Sequence, residues 1–259
     1  MGETMPHELD WPKIDRNGMR VAKTFGSFVL GPMYMNLRHQ GRLRVYGQEG
    51  LKTAMAQGPV IIVANHPSLI DTFLVAMVLF PQYLTSSRFF VWSMPDEKFF
   101  ERFLNLRFRW IPRVLRCVSI DRDAGKSAGA RKEAALKQVI EILHHQHSVV
   151  WHIGGGRDCT GKAWEEIEHA GSTRRIRKNV TSHAARVALQ VENCRIIPVY
   201  IDMPWADGPL GFGQCLWRLF NPRRPMVTLS FGAPYTVSQP LDNLAEQDRM
   251  KTAILNAGA

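Results

Sequence analysis

The residues best suited to chemistry in this sequence lie in the segment NHPSLID at 65–71. His66 and Asp71 are separated by four residues. A carboxylate beside an imidazole fixes the ring tautomer and stabilises the protonated ring, so such a pair can act as a general base. The spacing also fits a second interpretation, because Ser68-x-x-Asp71 matches a capping box in which Asp71 stabilises a helix N-terminus.

The sequence around this pair predicts the elements that must position it. Val60–Ala64 (VIIVA) is apolar and β-branched, which favours a buried strand. Residues 69–79 favour an apolar helix with Ser68 as its N-cap. Loops at the carboxyl ends of strands are where α/β proteins place ligands. We therefore expect His66 on such a loop and Asp71 in the first turn of the helix that follows.

Two further segments place cations after predicted strands. Arg122, in the segment SIDR, follows a strand predicted at 114–120, where its guanidinium suits a phosphate or alternatively an ion pair with Asp121. The loop GGGRDCTGK at 154–162 follows a strand predicted at 148–153, and successive glycines let backbone N–H groups approach an anion closely. The predicted anion-binding residues of this loop are Gly155, Gly156, Arg157 and Lys162.

The same loop has two other interpretations. Residues 156–162 spell GxxxxGK, the core of a nucleotide-binding P-loop. Against this, Ala163 stands where a P-loop needs Ser or Thr for Mg²⁺, and the polar stretch that follows lacks the apolar face of a packed helix. Asp202 is the candidate for a Mg²⁺-binding carboxylate, and a flexible surface loop is the remaining alternative.

Strands and helices alternate from residue 42 to the end of the chain, which predicts an α/β fold. We expect one domain over 42–259, built on a mixed, largely parallel sheet flanked by helices. Pro198 lies inside a predicted strand and indicates an edge strand or a bulge. Strands are predicted at 42–46, 60–64, 88–93, 114–120, 148–153, 195–202 and 227–232, and helices at 49–56, 69–79, 96–110, 126–145, 181–191 and 241–255.

Residues 1–41 form a leader of different character, predicted as an amphipathic helix. Apolar residues recur at helical spacing over 19–37, with basic residues on both sides. Gly26, Gly31 and Pro32 are expected to break or kink it. Such a helix either lies in a membrane interface or packs on the domain surface.

Composition limits the partners without choosing one. The net charge of +10 attracts anionic lipids, phosphorylated substrates or nucleic acid. No nucleic-acid motif accompanies the basic segments at 99–116 and 174–178, so we favour lipid or phosphate partners and expect no nucleic acid. The longest apolar run, 73–81, is far shorter than the roughly 20 residues of a spanning helix. The four cysteines match no zinc spacing and are expected to be free thiols.

In their order along the chain, these segments resemble the glycerolipid acyltransferase family, which includes the 1-acylglycerol-3-phosphate and glycerol-3-phosphate acyltransferases. The resemblance runs from about residue 46 to residue 201 through VYGQEGL, GPVIIVANHPSLID, SIDR, GGGRDCTGK and IIPVYI. It implies that His66, oriented by Asp71, removes the proton of an acceptor hydroxyl, which then attacks the thioester of acyl-CoA or acyl carrier protein. It also implies that Arg122 and Arg157 bind the acceptor phosphate.

From this resemblance we also assign Asn65 to substrate binding and expect neither a metal nor a cofactor beyond the acyl donor. The implied partners are the acyl donor, a lipid or phosphate-bearing acceptor and an anionic membrane surface. The implied location is the cytoplasmic face of a membrane, peripheral or monotopic. The sequence departs from the family at Gly154, where a glutamate is usual, which leaves open a non-catalytic lipid-binding module on the same scaffold.

Overall fold

The computed structural model of the chain describes residues 16–94, 117–118, 128–154, 164–206, 210–221 and 223–258. The helix predicted at 96–110 lies outside these residues, as does most of the strand predicted at 114–120. Within that strand, Cys117 pairs in parallel with Ser93.

Six of the strands in the described ranges form one sheet. The described strands are β1 (Leu43–Tyr46), β2 (Val60–Ala64), β3 (Val91–Ser93), β4 (Ser148–His152), β5 (Trp164–His169), β6 (Ser172–Arg177), β7 (Arg195–Asp202) and β8 (Val227–Phe231). The order across the sheet is β1-β8-β7-β2-β4-β3. All neighbours are parallel except β7 and β8, which are antiparallel. The predicted mixed, largely parallel sheet is confirmed.

Helices flank this sheet and bury its centre. The described α-helices are α1 (Arg16–His39), α2 (Gln48–Gln57), α3 (Asp71–Val78), α4 (Gln82–Thr85), α5 (Ala128–His144), α6 (His183–Ala188), α7 (Phe212–Phe220) and α8 (Asn243–Ala257). Every residue of β2 is fully buried, because β4 and β7 pair with its two edges and helices cover its faces. Each such Val or Ile contributes roughly 1.5–3 kcal/mol of burial free energy. The strand that precedes the candidate site is therefore among the most rigidly held parts of the fold.

Helix α1 packs on the domain, and its contacts with α3 and α4 use its glycines. A side-chain carbon at Gly31 would lie 2.7 Å from the Phe80 ring, and one at Gly26 would lie 3.2 Å from the Tyr83 hydroxyl oxygen. The helix continues through both glycines and Pro32, so the predicted break is wrong. Close packing against α3 and α4 stabilises a helix that its sequence alone would not. Helix α1 therefore packs on the domain with one face and exposes the other, and its contact with a membrane stays a prediction.

The sheet bulges beside Pro198. Val199 pairs with Phe231 and Ile196 pairs with Tyr235. These partners are three residues apart along β7 but four residues apart along the segment that follows β8, so that segment contains one extra residue. The extra residue interrupts the ladder where proline has no N–H to donate. Because β7 lies between β2 and β8, the predicted bulge is confirmed and the alternative of an edge strand is wrong.

An antiparallel hairpin of β5 and β6 lies where the sequence predicted no element. Its two-residue turn, Ala170-Gly171, has positive φ at both positions (49° and 75°), as the favoured hairpin turns require. Ile176 is fully buried and Arg174 donates to the Leu255 carbonyl while lying over the Tyr200 ring. One face of a polar-looking segment is therefore attached to β7 and α8.

Candidate active site

The loop between β2 and α3 brings His66 and Asp71 together. Helix α3 begins at Asp71, two residues later than predicted, and Ser68 does not cap it. Instead, the Ser68 hydroxyl accepts from the Ile70 N–H at 3.2 Å, and the Ser68 N–H donates to Asp71 Oδ2 at 3.2 Å. These short-range bonds fold the loop back, so that position 66 faces the first turn of α3.

The contact between the two side chains is a short hydrogen bond. His66 Nδ1 lies 2.7 Å from Asp71 Oδ2, and Asp71 is completely buried while the His66 side chain is 15% exposed. Asp71 Oδ1 accepts from the Thr72 N–H at 2.8 Å. The predicted capping box is therefore wrong in its cap residue, because Ser68 does not cap the helix, but the Asp71 carboxylate still accepts backbone N–H groups at the helix start while it holds the imidazole.

The surroundings of Asp71 keep it ionised. Burial by itself raises the pKa of the Asp71 carboxyl, but the neighbouring His66 and His152 charges and hydrogen bonds from His66 and the Ser68 N–H outweigh it. The net result is a pKa below the ordinary value. An ionised carboxylate can only accept a hydrogen bond, so His66 Nδ1 carries the proton and the lone pair of the neutral ring lies on Nε2. This tautomer is the one that a general base needs.

Asn65 connects the loop to the neighbouring strand. Its side-chain oxygen accepts from the Ile201 N–H at 2.7 Å, and its amide nitrogen donates to the Ile201 carbonyl at 3.0 Å. The residue is buried and extends the pairing of β2 with β7 by one side chain. Asn65 therefore positions the residue that follows it, and its predicted contact with substrate stays a prediction.

A second histidine, His152, completes the site and was missed from the sequence. It ends β4 and lies beside Ala64 in the sheet register. Its ring stacks on His66 with centroids 4.2 Å apart and planes 17° from parallel. The signal that could have found it is a histidine at the carboxyl end of a strand next to the strand that carries the dyad.

His66, Asp71 and His152 are close enough together to raise the question of a metal. The donor atoms lie within 4.8 Å of one another. A metal ion binds each imidazole close to the plane of its ring, and two nearly parallel stacked rings do not share such a point. In addition, the Nδ1–Oδ2 distance of 2.7 Å is that of a hydrogen bond. This trio therefore does not fit a metal centre.

Gly154, the position of the usual family glutamate, requires glycine in this fold. Its φ is +74°, in the left-handed region. A side-chain carbon there would lie 2.7 Å from both the Arg177 Cβ and the Asn179 carbonyl oxygen. The departure from the family at this position is thus built into the packing of β6 against the end of β4.

The remaining predicted site residues lie outside the described residues: Arg122, Gly155, Gly156, Arg157 and Lys162. The P-loop interpretation of 156–162 can still be tested, because a P-loop runs directly into a helix that holds the phosphate at its N-terminus. Here the chain enters strand β5 at Trp164. This finding overturns the P-loop interpretation.

Comparison with known proteins agrees with this geometry. The family model described as Acyltransferase matches residues 42–202, which is more than half of the chain. The match covers β1 through β7, including the dyad and the end of β4. Comparison with curated proteins gives no match to the chain. The chain belongs to the Acyltransferase family, the glycerolipid acyltransferases that its motifs resemble.

Proposed function

We propose that this acyltransferase moves a fatty acyl group from acyl-CoA or acyl carrier protein to a hydroxyl of a (lyso)glycerophosphate-type acceptor. The observation that carries the proposal is the 2.7 Å bond from His66 Nδ1 to a fully buried, ionised Asp71 at the carboxyl end of β2. Family membership supports acyl transfer as the reaction class.

The proposed reaction uses His66 as base and then as acid. Nε2 removes the proton of the acceptor hydroxyl while the oxygen attacks the thioester carbonyl carbon. The tetrahedral intermediate collapses with cleavage of the carbon–sulfur bond, and His66 returns the proton to the leaving thiolate. The ester and the free thiol are the products. Asp71 stays ionised throughout and stabilises the transient imidazolium.

The proposed acceptor carries a phosphate. The net charge of +10 favours anionic substrates and the phosphates of the acyl donor alike. Arg122 and Arg157 are the proposed phosphate ligands, from the family resemblance. Because Gly154 leaves no space for a carboxylate side chain, the acceptor is held here without the glutamate that the family usually provides.

We further propose that the enzyme works at the cytoplasmic face of a membrane. Within the described ranges, no helix has both the length and the apolarity needed to cross a bilayer. Helix α1 exposes large apolar side chains about seven residues apart, Phe28 (78% exposed) and Met35 (62% exposed), and also Val21. Exposed arginines, Arg20 and Arg38, lie near its two ends. A helix of this kind suits the interface of an anionic bilayer.

Analysis of cellular lipids tests the reaction and identifies the acceptor. Wild type and His66→Ala are overexpressed at matched levels, and extracted lipids are compared by mass spectrometry. We expect wild type alone to accumulate an acylated product whose mass gives both acceptor and chain length. Membrane binding with identical lipid profiles for the two proteins would favour the non-catalytic lipid-binding module instead.

Vesicle binding tests the membrane proposal separately. Purified protein is sedimented with vesicles of phosphatidylcholine alone or with phosphatidylglycerol added. We expect binding that requires the anionic lipid, and weaker binding for Phe28→Asp. Lys137→Asp, on α5, is a matched surface control, because Lys137 is exposed and its ion pair with Glu133 lies on the protein surface. Equal binding of the three proteins would contradict the role of α1.

A further inference from the structure

We infer that His152 is a positioning residue for the dyad, which holds the loop before His66 and the residue after Asp71 in a fixed relation. The inference rests on the proposed function, since it assigns a role within the same reaction. His152 is a single side chain in contact with both segments that carry the dyad.

The two ring nitrogens of His152 form hydrogen bonds to the segments on either side of the dyad. Its Nδ1 lies 3.1 Å from the Asn65 carbonyl oxygen, which can only accept, so Nδ1 carries the proton. Nε2 lies 2.8 Å from the Thr72 hydroxyl oxygen, and these two atoms form the second hydrogen bond of the ring. Asn65 directly precedes His66, and Thr72 directly follows Asp71. The imidazole thus connects the two backbone segments on either side of the dyad.

Stacking adds control over the His66 ring itself. The two rings are 4.2 Å apart and nearly parallel, so tilting the His66 ring out of its plane and away from Asp71 also breaks the stack. His152 Nε2 lies 3.5 Å from Asp71 Oδ1, longer than a good hydrogen bond. Asp71 therefore keeps its short bond for His66, while His152 supplies a flat surface against which the His66 ring stacks.

The central sheet holds His152 in place. His152 ends β4, which pairs on one side with β2 and on the other with β3. The Ile153 N–H donates to the Ala64 carbonyl at 3.0 Å, which continues the parallel ladder past His152. A residue fixed in this way can hold a catalytic ring within the roughly 0.5 Å that efficient catalysis requires.

Three substitutions separate the contacts of His152. Asn places an amide N–H near the position of Nδ1, Gln places a carbonyl oxygen near the position of Nε2, and Phe keeps only the stacking face. The matched control is His147→Phe, because His147 is a buried histidine just before the other end of β4, within bonding distance of the Ser87 carbonyl and packed on Trp92.

The kinetic arm uses palmitoyl-CoA and 1-acylglycerol 3-phosphate with the purified full-length protein. We expect His152→Phe to lower kcat about 100-fold with KM for both substrates within about threefold, since displacing a catalytic group by about 1 Å has that effect. His152→Asn should recover at least tenfold of the loss, and His147→Phe should keep wild-type kcat. If His152→Phe retains kcat within threefold, or loses it only in proportion to unfolded protein measured by circular dichroism, the inference is wrong.

The spectroscopic arm does not depend on turnover. Proton and ¹⁵N NMR of histidine-labelled protein report the downfield Nδ1 proton of His66 and its tautomer. We expect one tautomer with a protected Nδ1 proton in wild type and in His147→Phe, and an exchange-broadened proton in His152→Phe. An unchanged His66 signal in a folded His152→Phe contradicts the inference. A changed signal in a protein whose wild type turns over no acceptor contradicts the proposed function and leaves the positioning role supported.

A double substitution separates action through the dyad from a general structural effect. In the Asp71→Asn background the His66 ring has already lost its orienting carboxylate, so His152→Phe should lower kcat by less than about threefold further. The full 100-fold loss in that background would show that His152 acts independently of the dyad, and would overturn the inference.

Discussion

Replacing Asp71 by Asn tests the dyad with the smallest change in shape. The carboxylate serves three donors, with the Thr72 N–H on Oδ1 and the Ser68 N–H and His66 Nδ1–H on Oδ2. An amide has one oxygen and one NH₂ group. If the oxygen of the new amide takes the position of Oδ1, beside the Thr72 N–H, the NH₂ group takes the position of Oδ2. There it faces the Ser68 N–H donor to donor, and it donates to His66 Nδ1, which forces the ring into the wrong tautomer. With the opposite orientation, the NH₂ group meets the Thr72 N–H.

Either orientation produces two separable effects. One buried backbone N–H loses its acceptor, which destabilises the fold by about 1–3 kcal/mol. Catalysis loses the negative charge beside the imidazolium in both orientations, and it loses the required His66 tautomer in the first. The equivalent substitution in a Ser-His-Asp triad lowers kcat about 10⁴-fold, and we expect about 10³–10⁴-fold here. That loss corresponds to about 4–5.5 kcal/mol of transition-state stabilisation.

The assay follows thiol release from palmitoyl-CoA in the presence of 1-acylglycerol 3-phosphate, under conditions where circular dichroism shows Asp71→Asn to be folded. Asp242→Asn is the matched control, because Asp242 also accepts two backbone N–H groups, those of Leu244 and Ala245, at the start of a helix. We expect the control to keep wild-type kcat. Folded Asp71→Asn with kcat within tenfold of wild type would refute the reasoning.

Three further predictions follow from the packing and the charges. Gly154→Glu should lower the melting temperature without raising activity. A left-handed backbone costs a residue other than glycine about 1–3 kcal/mol, and the new side chain would clash with Arg177. A variant that is more active and equally stable would contradict this prediction. The lowered pKa of Asp71 gives stability that is complete above its ordinary value of 3.8 and is lost as the pH falls below it through the folded-state pKa. Urea unfolding from pH 5 to pH 2 should therefore show a larger acid-dependent loss of stability in wild type than in Asp71→Asn, where only the other carboxyl groups titrate. Cys117 and Cys194, whose thiol pKa values burial raises to about 12, should react with Ellman's reagent only after unfolding. Rapid labelling of either residue in native Cys159→Ser protein, located by peptide mass spectrometry, would contradict this.

The parts of the fold that sequence predicts well are those where local pattern and tertiary packing agree. The β-branched run Val60–Ala64 favours a strand locally, and burial between the neighbouring strands β4 and β7 favours the same conformation. The proximity of His66 and Asp71 followed from a loop between that strand and the next helix. Pro198 marked the bulge correctly because the lack of an N–H is a local property with one structural consequence.

Other elements depend on partners distant in sequence. The β5–β6 hairpin is held by the burial of Ile176 and Arg174 against β7 and α8. Because one of these two residues is charged and the rest of the segment is mostly polar, its sequence shows no alternating apolar pattern. Helix α7 (Phe212–Phe220) was not predicted either, although Cys215 and Leu219 bury one face of it. Stacking of His152 on His66 depends on the order of β2 and β4 across the sheet, which no local pattern contains.

The central claim is that His66 is the general base for acyl transfer to a hydroxyl acceptor. It is tested most directly by the acceptor-dependent rate of thioester cleavage by purified wild type and His66→Ala, with His147→Phe as the control. We expect rapid release of thiol and formation of the acylated acceptor with wild type and the control, and a rate at least about 10³-fold slower with folded His66→Ala. Wild-type turnover by His66→Ala with the same acceptor would contradict it.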